Sequence, residues 1–197
     1  MRWPYTAADF ARQESTSDSC FYSNPRFVTH IDDRAIATIR RRILDFCSSW
    51  ISHYPPKVEE AAQRGGLKLS DGAEGRFVTD LNKEPDFSAV TNSLFDAATC
   101  VVSIDYLTQP REVLGSLRRV VKEGATVNVV VSNPCFPTKT IARWLKIGEE
   151  ERLNMVADYL YFPGWSNVEI FMKWAGFGAH DSLGVVRGVN SSEREVS

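Results

Sequence analysis

Carboxylates stand at the ends of short apolar runs along this chain: Asp45 within 43–47, Asp71 just past 67–69, Asp80 closing 76–80, and Asp105 just past 98–104. If those runs are parallel strands, their carboxyl ends share one crevice, which is where open α/β sheets bind ligands. A single acid there means little, because Asp is a routine loop residue. Several around one crevice suit a ligand rich in hydroxyls and amines, since a carboxylate accepts more than one hydrogen bond. His53, in a polar loop past the first run, suits general-base work near neutral pH or a plain turn bonded to backbone. Arg26 is placed to meet a substrate carboxylate or to pair with Asp32 or Asp33. Metal chemistry has no support: Cys20, Cys47, Cys100 and Cys135 form no CxxC pair, and His30, His53 and His180 lack ligand spacing. Cys47 and Cys100 lie inside apolar runs and read as small buried thiols in a reducing compartment, the cytoplasm.

The elements that must position these groups are clearest in the middle of the chain. An apolar run at 98–104 precedes a helix opened by Pro110. That helix carries Val113, Leu114, Leu117, Val120 and Val121 on one side and is stopped by Gly124. A β-branched run at 126–131 follows, and strand, helix, strand at this spacing builds a parallel sheet. Two more helices are expected at 138–147, with Ile141, Trp144 and Leu145, and at 149–161, with Leu153, Val156 and Leu160 inward. Two closing strands, 167–172 and 183–189, read as an antiparallel pair. Upstream, helices at 31–42, with Arg40-Arg41-Arg42 at the C-terminal end, and 57–64 alternate with strands at 43–47, 67–69 and 76–80. Residues 1–30 are an aromatic-rich extension or lid, 31–189 a single domain, and 190–197 a loose polar tail.

The 197 residues suffice for one α/β domain, and 43% hydrophobic content can fill its core. Lys+Arg 23 against Asp+Glu 25 leaves a formal charge of -2, which gives no pull toward nucleic acid or anionic lipid. No stretch is long and apolar enough to span a bilayer, and the N-terminus lacks the apolar run of a secretory signal.

Phe95-Asp96-Ala97, then Cys100-Val101-Val102-Ser103-Ile104-Asp105-Tyr106-Leu107, then Leu117-Arg118-Arg119-Val120-Val121-Lys122-Glu123-Gly124 form one patterned stretch. It resembles the strand-four to strand-five region of class I S-adenosylmethionine-dependent methyltransferases, especially the methyltransferase type 11-like group. Ser132-Asn133-Pro134-Cys135-Phe136-Pro137-Thr138-Lys139 is similar to an "SNRxFPTK" segment of one subgroup. Phe21-Tyr22 through Pro25-Arg26-Phe27-Val28, His30-Ile31-Asp32, and Ser48-Ser49-Trp50 with Ser52-His53 resemble the same subgroup. The likeness runs from Phe21 to Val189 and implies a Rossmann-like, mainly parallel sheet flanked by helices with an antiparallel closing strand pair.

The resemblance also implies roles. S-adenosyl-L-methionine would be held by Asp45, Cys47, Ser48, Ser49, Asp71, Asp80, Leu81 and Ser103. Asp80 opens an Asp-Leu-Asn run whose acid in the family commonly faces the adenine amino group. Asp105 and Tyr106 follow strand four, where substrate-side groups stand, and Arg26 is a further acceptor contact. The reaction implied is in-line displacement at the methyl carbon, with His53 or Asp105 as base, a small molecule as acceptor and no metal. Two departures are plain. Cys47, Ser49 and Trp50 stand where the family's first motif has glycines, and Asp71 is the only acid near the place of the ribose-gripping one. They motivate a second expectation, a methyltransferase-like fold that does not methylate and serves as a binding module or uses its pocket for other chemistry. A nicotinamide enzyme lacks the needed GxGxxG after the first strand.

Overall fold

The computed structural model describes residues 1–16, 80–87, 95–174 and 181–192. The expected elements between 31 and 79 lie outside them. Four strands form one sheet in the order β1-β2-β4-β3: β1 is Phe95–Val101, β2 Val121–Val131, β3 Ser166–Trp174 and β4 Leu183–Val189. β1 and β2 are parallel, and β4 runs antiparallel to both β2 and β3, so the expected antiparallel closing pair is present. Two helices flank the sheet, α1 at Pro110–Val120 and α2 at Glu149–Tyr161. The fold of the described residues is α/β, a mixed sheet flanked by helices.

The run of β1 from Ala98 to Val101 is buried on both faces, as strands of parallel sheets are. α1 starts at Pro110, whose missing N–H costs nothing at a first helical position. It buries Val113, Leu114 and Leu117, and Arg118 and Arg119 sit in its last turn where cations suit the helix dipole. The helix ends at Val120 rather than at Gly124, and Val121 already belongs to β2. Gly124, with a φ of 78°, lies in an irregular stretch of that strand: Phe95 pairs Val121, but Ala97 pairs Thr126. α2 buries Leu153, Val156 and Leu160 as expected, together with Met155 and Tyr159.

The helix expected at 138–147 is replaced by consecutive turns. Three of its backbone donors are taken by distant parts of the chain. The N–H of Ile141 donates to the carbonyl of Asp105 (3.0 Å), that of Ala142 to Ala11 (2.7 Å) and that of Arg143 to Asp9 (3.0 Å). Ile141 and Trp144 are still fully buried, so the apolar pattern was a core signal without a helix behind it. Asn190 also departs from the loose tail: it is buried, and its side-chain amide donates to the carbonyls of Arg118, Val121 and Lys122.

Residues 1–16 are held along their length. Trp3, Tyr5 and Phe10 pack on the core and against Tyr159 of α2. The Tyr5 hydroxyl donates to Asp158 (2.6 Å), Arg143 lies over the Tyr5 ring and 3.4 Å from Asp9, and the buried Lys139 ammonium donates to the carbonyl of Thr16 (2.8 Å).

Candidate active site

The chain leaves β1 through a sharp turn. Val102 takes a φ of 43°, a left-handed conformation that a β-branched residue rarely adopts, and strain of this kind concentrates at functional sites. Ser103 follows and turns inward, its hydroxyl donating to the carbonyl of Val101 (2.9 Å). A single 3-10 turn, Ile104–Tyr106, then buries Ile104, Asp105 and Tyr106. The strand expected to reach Ile104 therefore stops at Val101, and its last three residues form the turn instead.

Asn82 joins this turn to the acid expected at the adenine. Its amide nitrogen donates to the carbonyl of Tyr106 (3.1 Å), and its amide oxygen accepts from the backbone N–H (2.7 Å) and hydroxyl (3.0 Å) of Thr108. Its own backbone N–H donates to Asp80 Oδ1 (3.1 Å), and its carbonyl accepts from the side chain of Gln109 (2.9 Å). Asp80 is partly exposed, with Lys83 Nζ 3.8 Å from Oδ2, while Leu81 beside it is buried in the core. Arg12 adds a second donor to the Tyr106 carbonyl (3.3 Å).

Asp105 is 4% exposed. Its Oδ2 accepts from the hydroxyl of Thr140 (3.2 Å), which also lies 3.0 Å from the carbonyl of Phe136. Burial pushes the carboxyl up to about 7, against the opposing pull of its own backbone N–H, Thr140 and the Arg152 charge. Burial likewise raises the neighbouring Cys135 thiol, and the Asp105 charge adds to that rise. The Tyr106 hydroxyl accepts from the backbone N–H of Phe136 (2.9 Å), so the 136–140 turn is fastened to both candidate acceptor-side residues.

Of the residues singled out from sequence, Asp80, Leu81, Ser103, Asp105 and Tyr106 are thus described, and Asn82 and the 3-10 turn draw them to one end of the sheet. Arg26, Asp45, Cys47, Ser48, Ser49, His53 and Asp71 lie outside the described residues. Asn82 and Thr140 were not among the expected site residues. Asn82 had a signal, its place in the Asp-Leu-Asn run. Thr140 had none, because its contact with Asp105 spans 35 positions. Among the described residues, no group of His, Cys, Asp and Glu could hold a metal ion.

No protein-family model and no curated protein matches this chain. Solved structures do. The 16S rRNA (adenine(1408)-N(1))-methyltransferase W203A mutant from Catenulisporales acidiphilia is 18% identical, over 51% of this chain and 52% of its own, with a TM-score of 0.37. Phosphoethanolamine N-methyltransferase 2 of Haemonchus contortus, in complex with S-adenosyl-L-methionine, is 10% identical over 50% of this chain and 34% of its own, TM-score 0.35. An S-adenosylmethionine-dependent methyltransferase from Thermotoga maritima is 15% identical over 52% and 60%, TM-score 0.37. The match thus spans between 34% and 60% of the length of these structures. No helix among the described residues is long and apolar enough to cross a membrane.

Proposed function

We propose that this chain transfers a methyl group from S-adenosyl-L-methionine to a small-molecule acceptor. The observation that carries the reading is the Asn82 junction. It ties the turn bearing Asp80 to the turn bearing Asp105 and Tyr106, so the acid proposed for the cofactor and the acid proposed for the acceptor stand on linked turns. The described residues fit a nucleoside: Asp80 is a partly exposed acceptor for an amino group, and Leu81 beside it is apolar. Asp45, Cys47, Ser48, Ser49, Asp71 and Ser103 complete the expected cofactor set. S-adenosylmethionine supplies an electrophilic methyl carbon on its sulfonium. The work left to the protein is orientation and, for an acceptor that arrives protonated, removal of one proton.

Asp105 is suited to that removal, because a carboxyl near 7 is half ionised at neutral pH and still basic enough to take a proton at an oxygen. Thr140 holds the carboxylate in place, and Tyr106 and Arg26 are the proposed acceptor contacts. His53 is the second candidate base.

Isothermal titration with S-adenosylmethionine and S-adenosylhomocysteine tests the reading. Ligand at a hundredfold excess over its dissociation constant adds about 2.7 kcal/mol of stability, which raises Tm by about 5–10 °C for a chain of this size. Asp80→Ala is expected to weaken binding by at least about tenfold, the loss of one charge-assisted hydrogen bond. Heat release and Tm shift absent for both nucleosides would favour a protein of this fold that does not methylate.

A further inference from the structure

Arg152, near the start of α2, is a half-buried cation with no acid partner among the described residues. Its Nε donates to the carbonyl of Trp144 (3.1 Å), and its guanidinium lies over the Trp144 ring, 5.3 Å from the centroid. Those two contacts fix the plane of the group, and among the described residues nothing takes up its Nη donors. The acids of the same turn are engaged elsewhere. Glu149 accepts from Asn133 Nδ2 (2.6 Å), and Glu151 accepts from the backbone N–H of Gly148 (3.2 Å). By contrast, Arg143 and Lys139, in the turns before α2, each have an acid 3.4 Å away, Asp9 and Glu14. A charge that has lost part of its hydration attracts a counter-ion, and a planar fork held by its third nitrogen presents two parallel donors.

The guanidinium stands where the two parallel strands end. Asp105 follows β1 and Cys135 follows β2; burial raises both groups, and the Arg152 charge lowers both, so it acts on each. A short path of hydrogen bonds joins it to the candidate base. Thr140 donates to the Asp105 carboxylate, Ile141 N–H donates to the Asp105 carbonyl, and Trp144 N–H donates to the carbonyl of Ile141 (3.1 Å). Arg152 in turn donates to the carbonyl of Trp144.

We propose that the Nη fork of Arg152 binds a carboxylate of the acceptor, which makes the substrate class small hydroxy or amino carboxylic acids. The proposal rests on the methyl-transfer reading above. The carboxylate is the handle, and a hydroxyl or amine of the same molecule is the nucleophile. That atom takes the methyl carbon from sulfur, leaving S-adenosylhomocysteine, and gives its proton to Asp105. One fork matches one planar carboxylate in two parallel hydrogen bonds. Glu149, Glu150 and Glu151 on the same turn disfavour a phosphate dianion at this place.

The test follows label from tritiated S-adenosylmethionine into a set of small hydroxy and amino acids, each run beside its carboxamide. The full chain is expected to prefer the acids by at least about tenfold in kcat/KM. Arg152→Gln is expected to erase that preference by raising KM for the acids, and Arg152→Lys, which keeps the charge without the fork, to recover part of it. Titrated S-adenosylmethionine is expected to bind Arg152→Gln as it binds the parent. Because Arg152 also holds the Trp144 carbonyl, melting curves accompany both variants; if Arg152→Gln does not fold, Arg152→Lys and the acid-against-amide comparison in the parent still decide. Amides used as well as acids, a preference unchanged in Arg152→Gln, or no binding of any acid to the chain loaded with S-adenosylhomocysteine would overturn the proposal. So would a loss of S-adenosylmethionine affinity in Arg152→Gln, which would give the fork to the methionine carboxylate. If neither nucleoside binds, the methyl-transfer reading falls by itself, whereas acids that bind the free chain and not Arg152→Gln would still uphold the carboxylate site.

Discussion

An ionised carboxylate loses hydration when it is buried, and at Asp105 the Thr140 hydroxyl and the residue's own backbone N–H only partly replace that water. Its folded pKa, about 7, therefore lies above its unfolded value, so between about 4 and 7 the folded chain holds a proton that the unfolded chain has released. By linkage, stability falls as pH rises through that window and the penalty is constant above it. Asp105→Asn removes the titration. The variant's Tm is expected to gain on the parent progressively from about pH 4 to about pH 7, and to hold a constant lead of several degrees beyond. A difference that stays flat across the window would mean that Asp105 ionises like a surface acid. Asn190 poses the opposite case, a buried neutral group whose demands are met: it donates to three carbonyls and accepts from Arg118 Nε at 3.0 Å. Asn190→Ala leaves those carbonyls short of a donor and is expected to cost about 2–3 kcal/mol in urea melts. An unchanged midpoint would show that water takes the place of the amide.

At the level of elements, the sheet and α2 meet so closely that β4 needs a residue without a side chain. A Cβ added at Gly184 would sit 2.7 Å from Leu153 Cδ2 and 3.3 Å from its Cγ, and Leu153 is itself buried in the core. Gly184→Ala is expected to destabilise by about 1–3 kcal/mol. In a Leu153→Ala background the clash is gone, so adding Gly184→Ala is expected to cost little there; full additivity of the two would argue against this contact. Elements of this kind were legible in sequence where periodicity and burial agree. The apolar residues of α1 and α2 are where spacing puts them, because each helix buries its pattern on one continuous surface, and the closing strands pair antiparallel as their positions suggest. Residues 138–147 were not legible: Ile141 and Trp144 recur at helical spacing, yet their segment spends its N–H groups on Asp105, Ala11 and Asp9. The end of α1 was misplaced for a related reason, since a glycine with positive φ serves a strand irregularity as well as a helix stop. At the site, the acids were visible as residue types at strand ends, whereas the Asn82 and Thr140 contacts depend on distant loops meeting, which no local pattern encodes.

For the whole molecule the question is what residues 1–16 do. A lid that opens and closes over the crevice needs weak attachments, since moving segments come from the low-stability end of a structure. This segment has strong ones. Trp3, Tyr5 and Phe10 pack on the core, Trp3 meets Phe162 edge-on at 5.2 Å, and Arg111 lies over the Trp3 ring at 5.8 Å. Its backbone accepts from the N–H groups of Ala142 and Arg143, two donors that a helix here would need, and Lys139, 1% exposed, relies on Thr16 and on Glu14 at 3.4 Å. Part-burial of three aromatic side chains contributes on the order of 1–2 kcal/mol each, and their removal compares with the roughly 5–15 kcal/mol that holds a domain folded. A chain lacking residues 1–16 is therefore expected to melt at least about 10 °C below the parent. Amide exchange should accelerate first at 138–147 and in α2, whose Tyr159 and Asp158 lose Trp3 and Tyr5. The lid proposal makes the reverse forecast, an unchanged Tm with altered affinity for S-adenosylmethionine. One calorimetric melt of the shortened chain beside one titration decides between a strap that completes the core and a cover that regulates access to the Asp105 turn.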